Sequence, residues 1–266
     1  MYSFNYVKAQ SLKHAGELLA ANPEAKLLAG GMTLIPTLKQ RLARPTHLID
    51  LGGLKELSGI ESKDGKLLIG AGVRHREVAS SPAVRAAIPA LAELAGVIGD
   101  PQVRNLGTVG GSVANNDPAA DYPAAVLGLG ATVVTTRREI PADDFFQGMF
   151  ATALDESEII VRLVFPIPKR AAYSKFPHPA SGYAMAGVFI ADTGQGIRVA
   201  VTGAAPGVFR WAAAEKALGR KFDATALEGL AVDAQTLNED FHATREYRAN
   251  LVSVMAKRAL QKISGK

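Results

Sequence analysis

The apolar and polar positions of the chain alternate between helical and strand-like spacing from the first residues onward. Ser11 is suited to cap a helix, because its short hydroxyl can accept a hydrogen bond from the first helical turn. The apolar face of that helix is formed by Leu12, Ala15, Leu18 and Leu19. The elements predicted to follow are a strand over 26–29, a helix with Leu34, Ile35 and Leu38 on one face, and a strand over 47–51. A first α/β subdomain is therefore expected over about 1–55.

A second subdomain is predicted over 56–168. It opens with a hairpin, because strand-like patterns over 58–61 and 66–70 flank the turn Lys63-Asp64-Gly65. Its other predicted elements are helices over 75–80, 83–88, 90–98 and 122–129 and strands over 131–136 and 159–165. Pro166 and Pro168 end this unit, and a domain boundary is placed there.

The remaining residues, 169–266, are predicted to form a small α/β domain in which helices cover a sheet. Its predicted elements are strands over 171–176, 183–191 and 196–203 and helices over 212–218, 224–230 and 244–262. The last helix has apolar positions opposite four basic residues, Arg248, Lys257, Arg258 and Lys262. Two interpretations are open: the charges lie in water while the helix covers the sheet, or the basic face docks another subunit.

Composition narrows the class of protein. The chain has 266 residues, of which 48% are hydrophobic and 21% charged, as in a globular protein with a substantial core. No uninterrupted apolar run approaches the roughly 18 residues of a membrane span, and the first residues lack the features of a secretory signal, so a cytoplasmic location is expected. With a net charge of +5 and 6% aromatic residues, a nucleic-acid surface is not expected.

Cysteine is absent. This excludes disulfides, thiolate nucleophiles and an iron–sulfur cluster on this chain, because such clusters are held by Cys thiolates. The five histidines show no metal-ligand spacing, so no metal site is predicted. His178, between two prolines, has either a structural or surface role or a role in a binding site. The adjacent acids Asp143-Asp144 and Asp155-Glu156 are predicted in loops without a partner suited to a hydrolase.

The stretch from Asp100 to Asp121 is the richest candidate for binding chemistry. It contains too much Gly, Asn, Asp and Pro for a regular element, yet it is too apolar for a solvated linker, so an ordered loop that lines a site is predicted. Gly110-Gly111 would let backbone amides approach a ligand closely. Gly30-Gly31 follows a strand and precedes a helix, where free N–H groups suit a phosphate. Two interpretations are open: the two loops clamp a pyrophosphate between them, or each loop is a plain turn. Neither loop matches the dinucleotide-binding motif GxGxxG or the P-loop motif GxxxxGK[ST].

Several segments resemble, in order and spacing, the FAD-binding medium subunit of the molybdenum hydroxylases, the group of aerobic carbon monoxide dehydrogenase and three-subunit relatives of xanthine dehydrogenase. They are AGGMTLIPTLKQ (29–40), IGAGVRHREV (69–78), RNLGTVGGSVANNDPAADYPAAVLGLGA (104–131), SEIIVRLVFP (157–166) and YSKFPHPASGYAMAGVFIA (173–191). With a Tyr-Arg segment near the last helix, the resemblance covers nearly the whole chain. It implies an α+β fold: a two-subdomain FAD-binding domain of the vanillyl-alcohol oxidase (PCMH) type, followed by the small C-terminal domain.

The resemblance also implies roles for single residues. Backbone contacts to the FAD pyrophosphate would come from Leu27, Leu28, Ala29, Gly30, Gly31, Met32, Thr33 and Leu34, and from Thr108, Val109, Gly110 and Gly111. Met32 stands where the family often has a polar residue, so only its backbone is expected to contribute. Asn115 and Asp121 would hydrogen-bond the ribityl or ring side, Gly72 and Ile98 would pack against the flavin, and Lys175 and Tyr183 would lie near the isoalloxazine.

The implied function is electron transfer rather than substrate oxidation by this chain alone. A large partner would carry the molybdenum cofactor and oxidise the substrate, and a small partner with two [2Fe–2S] centres would pass electrons to the FAD on this chain. The acceptor would be NAD, a quinone or oxygen, and the assembly a dimer of heterotrimers. No catalytic base is named. Two alternatives remain: a self-contained FAD-dependent oxidase of the vanillyl-alcohol oxidase type, and a scaffold protein that has lost the cofactor.

Overall fold

The N-terminal part of the chain forms a small parallel sheet. The structure is a computed structural model that describes residues 1–265. Its first sheet contains strands β1 (Asn5–Lys8), β2 (Lys26–Leu28) and β3 (His47–Asp50) in the order β1-β3-β2, with helices α1 (Leu12–Ala21) and α2 (Leu34–Lys39) in the crossovers. The predicted cap is present, since Ser11 accepts a hydrogen bond from the His14 N–H. The pattern missed β1, whose residues are mostly exposed and carry no apolar alternation.

An antiparallel sheet forms the centre of the molecule, in the order β4-β5-β10-β6-β7. Its strands are β4 (Ile60–Lys63), β5 (Lys66–Gly70), β6 (Thr132–Thr135), β7 (Glu139–Pro141) and β10 (Ile160–Pro166). Between β7 and β10 the chain forms a separate two-stranded hairpin of β8 (Phe146–Gly148) and β9 (Ala151–Thr152). The helices of this part are α3 (His75–Ser80), α4 (Pro82–Ala87), α5 (Pro89–Gly96), α6 (Pro101–Leu106), α7 (Val109–Asn115), α8 (Tyr122–Gly128) and α9 (Ala142–Phe145). The predicted β4–β5 hairpin and its turn are present.

The third sheet is a four-stranded antiparallel meander. It consists of β11 (Arg170–Pro177), β12 (Ala184–Asp192), β13 (Ile197–Thr202) and β14 (Phe209–Arg210), with α10 (Ala212–Arg220) and α11 (Arg245–Ser264) packed on it. The helix predicted over 224–230 is wrong: only a short 3-10 helix forms there, Ala224–Leu227. Asp223 caps this turn, and the chain leaves it before Gly229, whose φ is +76°.

Strand β12 connects the two hydrophobic cores of the molecule. Val188 and Ile190 belong to the core under α11, whereas Phe189 and Ala191 point to the other face and belong to the core that contains α8. Because side chains alternate across a strand, one strand can serve both cores, which explains why nearly all of it is buried. The third sheet is thereby fixed against the central part of the chain.

The prediction that the stretch from Asp100 to Asp121 contains no regular element is wrong, since α6 and α7 lie within it. Asp100 caps α6 by accepting from the Val103 N–H, and Thr108 caps α7 by accepting from the Gly111 N–H. These local caps satisfy backbone donors that composition alone would leave unpaired. The expectation for Asp143-Asp144 is also wrong: both lie in α9, and Asp143 is 2.7 Å from the Arg198 guanidinium.

Arg248 departs from the predicted basic face of the last helix. It is buried, and its guanidinium donates to the carbonyl oxygens of Met185 (2.9 Å) and Gly203 (3.1 Å) and to Asp240 (2.7 Å). The arginine therefore fastens α11 to the sheet. No helix within residues 1–265 has the length and apolar content needed to span a bilayer.

Candidate functional site

A cavity of about 740 Å³ lies between the first sheet, the central sheet and the first turn after β11. This volume falls within the usual range of small-molecule sites, roughly 300 to 1,000 Å³. Most of the residues predicted to contact a cofactor line it: Leu27, Ala29, Gly30, Gly31, Met32, Thr33, Leu34, Gly72, Ile98, Thr108, Gly110, Gly111, Asn115, Asp121 and Tyr183. Leu28, Val109 and Lys175 do not line the cavity.

The two glycine loops are in direct contact at the cavity wall. A Cβ atom on Gly30 would overlap the carbonyl oxygen of Leu106 and lie 2.7 Å from the Cα of Gly107. Gly31 adopts a φ of +70°, which L side chains rarely tolerate. The first glycine pair is thus required by the close approach of two backbones, and that approach brings both loops to one side of the cavity.

The first loop presents unpaired backbone donors. Within residues 1–265, the N–H groups of Gly30, Gly31, Met32 and Thr33 donate to no protein acceptor. The carbonyl oxygen of Gly31, by contrast, accepts from the Ile35 N–H at 2.9 Å. Because backbone donors are strong hydrogen-bonding groups, four consecutive free N–H groups on a cavity wall are suited to an anionic ligand.

The second loop offers fewer free amides than its glycines suggested. The Val109 N–H donates to the carbonyl of Val73 (3.0 Å), and the Gly110 N–H donates to the carbonyl of Ala71 (2.8 Å). The Gly111 N–H donates to the hydroxyl of Thr108 at 3.1 Å. These bonds hold α7 against the segment after β5, and among the amides of 108–111 in the described chain only the Thr108 N–H donates to no protein acceptor. The Asn115 amide and the Ser112 hydroxyl line the cavity and make no hydrogen bond within the described chain.

Asp121 and Lys175 form a buried ion pair, with 3.0 Å between Lys175 Nζ and Asp121 Oδ2. The other carboxylate oxygen of Asp121 accepts from the hydroxyl of Tyr173 at 2.5 Å. Burial raises the pKa of Asp121, and the charge of Lys175 and the two hydrogen bonds oppose that shift. Asp121 thus reaches the cavity wall with both oxygens engaged, whereas the Lys175 ammonium lies behind the wall.

Tyr183 lies at the edge of the cavity, with 43% of its surface exposed. Burial of the phenol raises its pKa, and the charges of Asp117 and Asp121 add to the shift. The turn that ends at Tyr183 is closed by a hydrogen bond from the His178 N–H to the Tyr183 carbonyl oxygen, 2.7 Å long. His178 Nε2 lies 3.3 Å from His242 Nδ1, a pairing that the sequence separation of 64 residues concealed.

Sequence reasoning missed six charged or titratable residues of the cavity wall: Lys26, Lys55, Arg74, His75, Asp117 and Glu158. Hydrogen bonds from Arg138 and Thr135 lower the pKa of the Glu158 carboxyl to about 2, so this wall residue is ionised. Burial and the neighbouring charge of Arg104 lower the pKa of His75 to about 4. The signal for His75 and Glu158 was their position in segments of the resemblance, 69–78 and 157–166.

The wall chemistry fits the FAD implied by the resemblance. Free backbone donors suit a diphosphate, and the leucines at 27, 51 and 54 give the wall an apolar surface. The basic wall residues Lys26, Lys55 and Arg74 complement the negative charge of a dinucleotide. A neutral imidazole, His75, and an unpaired carboxamide, Asn115, add polar groups to the wall.

Comparisons with known proteins agree with this fit. A family model described as the FAD binding domain in molybdopterin dehydrogenase matches residues 2–168, and one described as the CO dehydrogenase flavoprotein C-terminal domain matches 171–263. The carbon monoxide dehydrogenase medium chain of Hydrogenophaga pseudoflava is 36% identical over 274 residues, covering 97% of this chain and 96% of the relative. The glyceraldehyde dehydrogenase medium chain of Sulfolobus acidocaldarius is 32% identical over 276 residues, covering 98% of both. A solved carbon monoxide dehydrogenase from Hydrogenophaga pseudoflava, lacking the Mo-pyranopterin moiety, superposes with a TM-score of 0.90 at 36% identity, covering 99% of this chain and 98% of that chain.

Proposed function

Because the chain belongs to the family of FAD-binding medium subunits of molybdenum hydroxylases, we propose that it is the electron-transfer subunit of a three-subunit dehydrogenase. Membership makes it an oxidoreductase subunit with FAD as its cofactor. The observation that carries the proposal is the row of four unpaired N–H groups, Gly30 to Thr33, on the wall of a cavity of about 740 Å³. Those donors match the diphosphate in the middle of FAD.

The residues of this chain bind and orient the cofactor. The amides of the first loop would hold the diphosphate, and the Asn115 side chain would hydrogen-bond the ribityl or ring side. Gly72 and Ile98 would give the flavin a close, apolar contact. Asp121 and Lys175 act as a unit, because the ammonium fixes the carboxylate at the wall. We propose that Lys175 supports the isoalloxazine site from behind the wall rather than by direct contact.

Bound FAD would supply the redox chemistry, taking electrons from [2Fe–2S] clusters of a small partner and giving them to NAD, a quinone or oxygen. This chain contains no cysteine, so the clusters must be on another chain. The molybdenum cofactor would belong to a large partner. The complex would be a cytoplasmic dimer of heterotrimers. Within this chain, the boundary between the FAD-binding domain and the C-terminal domain would lie near Pro168. The relatives named above as medium chains support a multi-subunit assembly.

The first test measures FAD binding by the purified full chain, from the flavin absorption and the quenching of flavin fluorescence. Asn115→Ala removes an unpaired wall amide, so FAD should bind about five- to tenfold more weakly, the worth of one hydrogen bond of about 1 kcal/mol. Asn105→Ala is the matched control, because Asn105 is exposed on the neighbouring helix and does not line the cavity. A wild-type chain that takes up no FAD, alone or with partner chains, contradicts the proposal.

The second test examines the complex from its native source. A flavin spectrum above a broad iron–sulfur absorption, with one larger and one smaller chain copurifying, is the expected result. Turnover of an alcohol by the flavin-loaded chain alone would instead identify a self-contained oxidase. A colourless chain would identify a scaffold protein.

A further inference from the structure

His75 is a buried histidine on the cavity wall. It is the first residue of α3, only 4% of its surface is exposed, and it lines the same cavity as the glycine loops. Its backbone N–H donates to the carbonyl of Gly107 at 3.0 Å. Its ring packs against that of Tyr122, with 5.3 Å between the ring centroids. The backbone and the packed ring hold the imidazole in one place.

The two ring nitrogens differ in their surroundings. Nδ1 is sealed from solvent and has no hydrogen-bond partner. Nε2 also makes no hydrogen bond within residues 1–265, but it is not sealed. It lies beside Gly107, where a Cβ atom would approach Nε2 to 2.6 Å. Gly107 has no side chain to cover Nε2, so an opening is left there, and both residues line the cavity.

The position of that opening identifies the part of the ligand that Nε2 would meet. Gly107 is the residue against which Gly30 packs, and Gly30 begins the row of unpaired N–H groups. His75 Nε2 thus lies on the same side of the cavity as the proposed diphosphate donors. The imidazole is neutral, because burial and Arg104 disfavour its charged form, and a neutral imidazole carries one N–H.

We propose that His75 Nε2 donates a hydrogen bond to the diphosphate of FAD and completes the row of donors from Gly30 to Thr33. The inference rests on the proposed function. It assigns a ligand to a buried polar side chain that makes no hydrogen bond within the described chain. Buried polar groups in folded proteins are nearly always hydrogen-bonded, so a polar ring on a cavity wall without a protein partner points to a ligand partner.

Three variants of the full chain separate this role from packing. His75→Gln keeps an amide N–H near the position of Nε2, His75→Asn reaches only the position of Nδ1, and His75→Phe keeps a ring without a donor. Dissociation constants are measured for FAD, ADP and riboflavin. ADP carries the diphosphate without the flavin, and riboflavin carries the flavin without the diphosphate. Thermal unfolding of each cofactor-free variant monitors stability. His47→Gln, in a part of the chain outside the cavity wall, is the control.

The expected result is a loss of about tenfold in FAD and ADP affinity for His75→Asn and His75→Phe, with riboflavin unchanged and His75→Gln within about threefold of wild type. Equal affinities for all variants, or an equal loss for riboflavin, would overturn the inference. Wild-type chain labelled with ¹⁵N-histidine gives a readout independent of variant folding: the Nε2 signal of His75 should move on addition of FAD, and an unmoved signal contradicts the contact. If wild type binds FAD and these changes are absent, only this inference fails; if wild type binds no FAD, the proposed function fails.

Discussion

The ammonium of Lys175 lies 3.0 Å from Asp121 Oδ2 and joins three separate segments of the chain. It also donates to the carbonyl oxygens of Val97 (2.7 Å) and Gly182 (2.8 Å). All three of its donors are thus engaged. These partners belong to the end of α5, the turn before β12 and the residue that precedes α8. One side chain on β11 therefore fixes the C-terminal sheet to the wall of the cavity.

Lys175→Met should destabilise the protein by about 3 to 5 kcal/mol, because it leaves a buried carboxylate without its counter-charge. The measurement is the free energy of unfolding in urea. Adding Asp121→Asn should restore part of the loss, since the remaining buried group is then neutral. Lys39→Met, at an exposed lysine without an ion pair in the described chain, should change stability by less than about 0.5 kcal/mol. A double variant as unstable as the sum of the single variants would contradict a coupled pair.

Stability should fall as the pH is lowered, through the titration of His75. The unfolded pKa is about 6.5, and the folded pKa is about 4. The unfolded chain therefore binds the proton more readily, so the contribution of the neutral ring is present above about pH 6.5 and is lost as pH falls toward 4. Full loss amounts to roughly 3 kcal/mol. Unfolding free energies measured between these pH values should fall less steeply for His75→Phe than for wild type; parallel curves would exclude His75 as the cause.

Gly30→Ala should destabilise the protein by about 1 to 3 kcal/mol or more, because the new methyl overlaps the Leu106 carbonyl and one backbone must move. The same variant should weaken FAD binding, since it separates the two loops. Gly16→Ala is the matched control: it lies inside α1 with nothing within 4 Å of a Cβ, so it should stabilise the chain by about 0.5 to 1 kcal/mol. Thermal unfolding distinguishes the two, and equal effects would contradict the close approach at Gly30.

Asn116→Ala should loosen the β8–β9 hairpin. Asn116 is 1% exposed, adopts a left-handed φ of 44°, and donates to the carbonyl oxygens of Gly148 (2.7 Å) and Ala151 (2.8 Å). Loss of these bonds and the backbone strain of alanine should together cost about 3 kcal/mol. Asn116→Gly loses the same two hydrogen bonds but avoids the strain of alanine, so it should be less destabilising than Asn116→Ala. Hydrogen exchange at the Phe150 amide, which donates to the Asn116 carbonyl, should accelerate; unchanged exchange would contradict this role.

Local patterns predicted much of the element order because their physical signals are local. Ser11 caps α1, and the turn Lys63-Asp64-Gly65 joins β4 to β5, as expected. The family was predicted from segments spread over the whole chain, and the comparisons confirm it. The residue roles at the cofactor remain predictions, although most of those residues line one cavity.

The sequence by itself determined the α+β class, the family and the two glycine loops, because periodicity, capping residues and ordered motifs are properties of neighbouring positions. Only the tertiary structure decided which amides of those loops are free, since the partners of Val109 and Gly110 come from a segment more than thirty residues earlier. It also decided that Arg248 is buried and that Lys175 meets Asp121, 54 residues away. Hydrogen bonds and burial depend on contacts between distant segments, and no pattern along the chain encodes those contacts directly.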